Sequence, residues 1–225
     1  MSLLEPIYPT VLSVRRIPDA HPDVLRAYGA DPERHTSLGL ITCDQDDPTY
    51  VALDEATKHA AVDVVFAKSF YAGAGHASGP LSGEILGVLA ASDPDEIEEG
   101  LAAMLRCLAH DACFYAANDE GTIAVFPHVI GSLGHYLSAE AGLQPGDSMA
   151  YLVAPPMEAT LGFEAVLKNA DVRTASILPP PSETNFAAAF FTGTQADCEA
   201  AAVAFAAAVI DVARRPLAGR PPGRR

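Results

Sequence analysis

Two stretches of this chain open on the same tripeptide, Glu-Ala-Thr, and continue as amphipathic segments: DEATKHAAVDVVFAKS (54–69) and MEATLGFEAVLKNADV (157–172). A repeat constrains a fold more tightly than local propensity does, because both copies must satisfy one packing pattern. Aligning Glu55 with Glu158 sets an offset of 158 − 55 = 103. At that offset both stretches read as helix starts. Their stripes, Ala56, Ala60, Val64, Ala67 and Ala159, Phe163, Leu167, Ala170, each fall on one helical face.

The neighbouring segments repeat too. Glu84 to Leu108 reads as a strand and then a helix, with Asp93 as N-cap, Pro94 at the first position and Glu96 completing a capping box. Its counterpart, Phe186 to Ala213, has Thr194 as N-cap and Asp197 three residues on. Upstream, TVLSVRRI (10–17) and TIAVFPHVI (122–130) read as β-branched strands. VLRAYGADP (24–32) and YLSAEAGLQP (136–145) read as short helices stopped by Gly and Pro. SLGLITC (37–43) and MAYLVAP (149–155) are the next strands. Each half is therefore strand, short helix, strand, long helix, strand, strand, long helix. The expected fold class is α/β (α+β), in two tandem units at 1–115 and 116–215, joined at the turn-forming AANDEGT (116–122). Residues 216–225, rich in Arg and Pro, read as a disordered tail.

At 225 residues, with 49% hydrophobic and 19% charged side chains, the chain can fold around modest cores. No apolar run approaches the roughly 18 residues that span a bilayer. Residues 1–10 lack the basic start of a secretory signal, so the expected location is cytoplasmic. A net charge of −15 repels nucleic acid and anionic lipid and favours small cations. The four cysteines show no Cys-x-x-Cys spacing, and no His cluster has metal-ligand spacing. Phosphate-binding loops, nucleophile elbows and dinucleotide fingerprints are absent, so no enzyme is expected.

Chemistry-bearing side chains gather in the loops. CDQDD (43–47) brings three carboxylates together, read on composition as a solvated turn. Glu55 and Glu158 read as helix N-terminal acids. GAGHASG (73–79) reads as a mobile loop holding an exposed His76, whereas three prolines stiffen ILPPPSETN (177–185).

SLGLITCDQDDPTYVALDEATK, SFYAGAGHASGP, MAYLVAPPMEAT and PPPSETNFAAAFFTG together resemble the ethanolamine-utilisation shell proteins of bacterial microcompartments, over about residues 7–216. The resemblance implies two circularly permuted microcompartment domains per chain and a pseudohexameric trimer, a homotrimer that tiles with other shell proteins. It implies a gated central channel whose loops match Gly73, Ala74, Gly75 and His76 and, in the second copy, Ser182, Glu183 and Asn185. It also implies a small acidic pore that binds ethanolamine, matched here by Asp46, Phe114, Glu158 and Thr184. Zinc and cobalamin are associated with such proteins, but no ligand for either is assignable here, so no cofactor is expected. The implied location is the microcompartment shell in the cytoplasm, with neither nucleic acid nor membrane as partner. Two readings stay open beside it: a shell trimer of another compartment type, and a soluble ligand-sensing module.

Overall fold

The computed structural model describes residues 5–70, 81, 83–182 and 185–217. The first half runs β1 (Pro6–Ile7), β2 (Val11–Ile17), α1 (Pro22–Ala27), β3 (Ser37–Cys43), α2 (Asp46–His59), β4 (Asp63–Ser69), β5 (Ile85–Ala91), α3 (Pro94–His110). The second runs β6 (Phe114–Ala116), β7 (Ala124–Ile130), α4 (His135–Ala141), β8 (Ser148–Ala154), α5 (Pro156–Asn169), β9 (Arg173–Leu178), β10 (Ala187–Gly193), α6 (Gln195–Arg214). One antiparallel sheet has the order β2-β3-β5-β4; the other has β1-β6-β7-β8-β10-β9. The four strands from β7 to β9 repeat the first sheet's connectivity, so the duplication is written in the topology.

The repeat holds in element order but not in the register that Glu-Ala-Thr implies. Both long helices have 14 residues, and their starts lie 156 − 46 = 110 apart. Glu55 sits deep inside α2, while Glu158 lies in the first turn of α5. Val64 and Ala67, expected on a helical stripe, belong to β4. The α2 helix starts upstream of the expected point because a helix tolerates proline in its first turn, where N–H groups lack partners anyway. Pro48 occupies such a place, and Asp46 and Asp47 complement the positive end of the dipole. Glu96 closes no capping box: its carboxylate accepts from the Ala61 N–H instead. The Asp93 and Thr194 caps form as expected, Thr194 with Asp197 in a full capping box.

The chain divides into two compact units. One contains Tyr8–Cys113 and Ser132–Asp147. In its sheet β5, ILGVLAA, is apolar throughout because both faces are covered. Leu38, Val88 and Ala90 face Leu25 of α1, while Gly39 and Gly87 face Leu101 of α3 and Leu53 of α2. This unit also holds α4, which comes from the second half of the chain and packs on α2. Asp54 of α2 fastens it. The Gly134 N–H donates to Asp54 Oδ2 at 2.7 Å, and the Leu137 N–H to Asp54 Oδ1 at 2.8 Å. Thr57 Oγ1 accepts from the His135 N–H at 3.0 Å, and Lys58 Nζ donates to the Ser132 carbonyl at 3.2 Å. Gly134 has no room for a β-carbon, which would lie 2.5 Å from the Asp54 carbonyl oxygen.

The other unit contains the strand at Ile7, Phe114–Gly131 and the chain from Ser148. One face of its sheet, with Val125, Leu152, Ala189 and Phe191, packs on Phe163 and Val166 of α5 and on Phe205 and Val209 of α6. Its opposite face carries a ladder of rings. Tyr151 meets Phe126 at 5.4 Å and Phe190 at 4.7 Å, edge to face, and His128 stacks on Phe126 at 5.2 Å.

Candidate binding site

Asp46 stands where β3 hands over to α2. Gln45 is extended (φ −137°, ψ 130°) and ends the strand, and the helix begins one residue later. Asp46 and Asp47 are both buried, which overturns the solvated turn expected for CDQDD. The Asp47 N–H donates to Asp46 Oδ1 at 2.9 Å. Beside them, Asp44 Oδ1 accepts from the Thr10 N–H at 2.6 Å and ties the loop to the start of β2. The Glu84 N–H donates to the Cys43 carbonyl at 2.7 Å, which brings a fourth acid to the same place. Burial pushes the Glu84 carboxyl up from its ordinary range, and the charges of Asp46 and Asp44 push it further. A group of carboxylates strained in this way gains from any cation it can hold.

Phe114 and Glu158 belong to the other compact unit. Phe114 pairs with Ile7 across β1 and β6 and is buried, with its ring 5.0 Å from Phe126 and 6.3 Å from Phe186. The Ser182 N–H donates to the Phe186 carbonyl at 3.2 Å. Ser182 is half-buried and Asn185 is exposed. Glu158 is half-buried in the first turn of α5. Thr184, Glu183, Gly73, Ala74, Gly75 and His76 lie outside the described residues. The tail expected at 216–225 lies outside them too, except for its first two residues.

Glu55, read as a helix-start acid, has a different task. Burial alone would raise its carboxyl, but hydrogen bonds from Lys58 and His59 outweigh burial and hold it below the ordinary range. Two groups escaped the sequence reading. Glu84 follows a loop and reaches the acids only through strand pairing. Asp54 carries no motif, and its partners are 80 and 83 residues away.

Among the described residues, no three His, Cys, Asp or Glu side chains come together as a metal site. No zinc donor set is found among the described residues, which do not include His76. No described helix is long and apolar enough to cross a membrane.

No protein-family model matches the sequence. The chain is 49% identical over 217 residues to the bacterial microcompartment shell protein EutL of Escherichia coli, covering 96% of this chain and 99% of that one. It is 49% identical over 211 residues to EutL of Clostridium perfringens, covering 94% and 97%. A crystal structure of EutL from Clostridium perfringens superposes with a TM-score of 0.91, covering 96% of this chain and 98% of that one. The trimeric microcompartment shell protein PduB shares the fold at 16% identity, with a TM-score of 0.72 and coverage of 92% and 90%.

Proposed function

The chain belongs to the EutL family of bacterial microcompartment shell proteins, structural proteins rather than enzymes, and from that premise we propose how it works in the ethanolamine-utilisation shell. It assembles as a trimer that tiles with other shell proteins. Each trimer has a gated central channel, formed by the loops at Gly73–His76 and Ser182–Asn185, and small acidic pores that take ethanolamine. The two sequence copies, 1–115 and 116–215, supply the six similar parts of the trimer.

The observation that carries the pore reading is the acidic cluster around Asp46. Ethanolamine is an ammonium ion at neutral pH, with three N–H donors and one hydroxyl. Carboxylates accept such donors strongly. Asp46 and Glu158 are assigned to the ammonium and Thr184 to the hydroxyl, while the Phe114 ring supplies an apolar and weakly cation-attracting wall. The raised Glu84 carboxyl fits this reading, because a bound cation would relieve the repulsion that raises it. Binding is expected to be weak, since a passage site must release its ligand.

Asp46→Ala combined with Glu158→Ala tests the assignment. Wild-type protein titrated with ethanolammonium should show saturable ligand chemical-shift changes, and the double variant should show none. Threefold particles in negative-stain images of both proteins would show the assembly intact. Equal titrations for the two proteins would remove these carboxylates from the pore.

A further inference from the structure

The unit that contains Tyr8–Cys113 and Ser132–Asp147 holds a second polar recess, distinct from the acidic cluster. A cleft of about 460 Å³ is lined by Arg34, His35, Thr57, Asp63, Ser92 and His135. Five segments meet there: the loop before β3, the end of α2, the start of β4, the residue after β5 and the start of α4. The second copy of the repeat lacks these parts. Strand β3 meets β5 as β8 meets β10, with Ser37 opposite Ala91 and Ser148 opposite Gly193. Counted from the left-handed glycines Gly29 and Gly142, the approach to that serine takes 37 − 29 = 8 residues in the first copy and 148 − 142 = 6 in the second. The longer loop carries Arg34 and His35. The offset of 110 between the long helices continues into β4 and β9, and it sets Leu167 in place of Thr57 and Arg173 in place of Asp63.

His35 comes from a loop, yet it is only 6% exposed, and both of its ring nitrogens are engaged. Nδ1 accepts from the Asp31 N–H at 3.1 Å, so it is the unprotonated nitrogen. Nε2 therefore carries the hydrogen and donates it to Asp63 Oδ2 at 2.9 Å. That tautomer leaves Nε2 without a lone pair for a metal ion. Arg34 Nη2 donates to the same carboxylate oxygen at 3.1 Å. The Thr57 hydroxyl is occupied, donating to the Asp54 carbonyl at 2.7 Å and accepting from the His135 N–H. Among the described residues, the Ser92 hydroxyl, the His135 ring and Asp63 Oδ1 take part in no hydrogen bond, and the Arg34 guanidinium uses only Nη2. The lining thus offers a ligand three kinds of donor and one carboxylate acceptor already fixed in place.

We propose that this cleft binds inorganic phosphate. The donors come from separate segments around the recess, and a tetrahedral oxyanion presents acceptor oxygens in as many directions. A planar carboxylate presents two acceptors in one plane and has no donor for Asp63. Arg34 supplies the charge-assisted bond that draws the anion in. The net charge of −15 opposes this only weakly, since salt screens charges beyond about 8 Å at physiological ionic strength. Asp63 decides which phosphate is taken. A carboxylate repels a bare oxyanion oxygen and accepts only from a protonated one. Both forms of inorganic phosphate present at neutral pH keep a P–OH group. A phosphomonoester loses its last proton near a pKa of about 6, and its dianion has nothing to donate. The cleft lies wholly within one compact unit, so this inference stands apart from the pore reading.

The test follows the histidine ring signals of the full chain by NMR as sodium phosphate is added at constant ionic strength and pH 8. The His135 signal is identified by its loss in His135→Gln. Phosphate should shift that signal saturably in the wild-type protein. Arg34→Gln should weaken binding about tenfold or more, the effect of removing one hydrogen bond to a charged group. Methyl phosphate should bind more weakly than phosphate by a similar factor. Asp63→Asn, whose amide also donates, should narrow that gap. Arg34, Asp63 and His135 are all exposed, so circular dichroism should show the fold of each variant unchanged. Sodium chloride that reproduces the shifts would overturn the site, as would wild-type affinity in Arg34→Gln. Acetate or methyl phosphate bound as tightly as phosphate would overturn the assignment of its ligand.

Discussion

At position 54 a buried carboxylate holds two backbone N–H groups of a helix 80 residues further along. Charge-assisted bonds of this kind contribute about 1.5–3 kcal/mol each, and removing the acceptor strands both donors. Asp54→Ala is therefore expected to lower the unfolding free energy by about 3 kcal/mol, read from equilibrium urea unfolding, and Asp54→Asn by about half of that. No sequence pattern announces such a residue, because its partners are set by the fold. Asp46 is an intermediate case. Its membership of an acidic loop was legible in CDQDD. Its burial was not, because a first-turn proline at position 48 let the helix start where composition suggested a turn.

The elements themselves were mostly legible. Strands rich in β-branched residues, Gly and Pro stops and the Thr194 cap all appear where the sequence places them, since each depends on local chemistry. The register of the repeat was not legible, because a matching tripeptide is weaker evidence than the burial of whole faces. Helix packing follows those faces. Gly162 of α5 lies against Phe205 of α6, and a β-carbon there would fall 2.4 Å from the ring. That ring is fully buried and stacked on Phe163 at 5.5 Å, so it has little room to retreat. Gly162→Ala gains helix propensity but forces α5 away from α6, and a net loss of about 2 kcal/mol is expected, measurable as a lower thermal midpoint.

Across the whole molecule, the four cysteines are spread over both compact units and all are buried, none in a disulfide. Burial pushes the Cys107 thiol up to about 12, and it raises Cys43 and Cys198 as well. A thiol reagent at pH 8 should find almost no reactive group in the native protein and four after denaturation. Rapid labelling of the native protein would mean that a unit opens readily. The four thiols thus report on the integrity of both cores at once.

The docking of α4 on α2 also sets an order of events. The unit that begins at Tyr8 is completed by Ser132–Asp147, so a nascent chain finishes its first sheet well before the last piece of that unit leaves the ribosome. During that interval Val51, Asp54 and Thr57 wait uncovered. The loop from β7 to α4 is short, and it keeps the legitimate occupant close at hand. The first unit is therefore finished only by a segment of the second half, and its completion waits on the chain as far as Asp147.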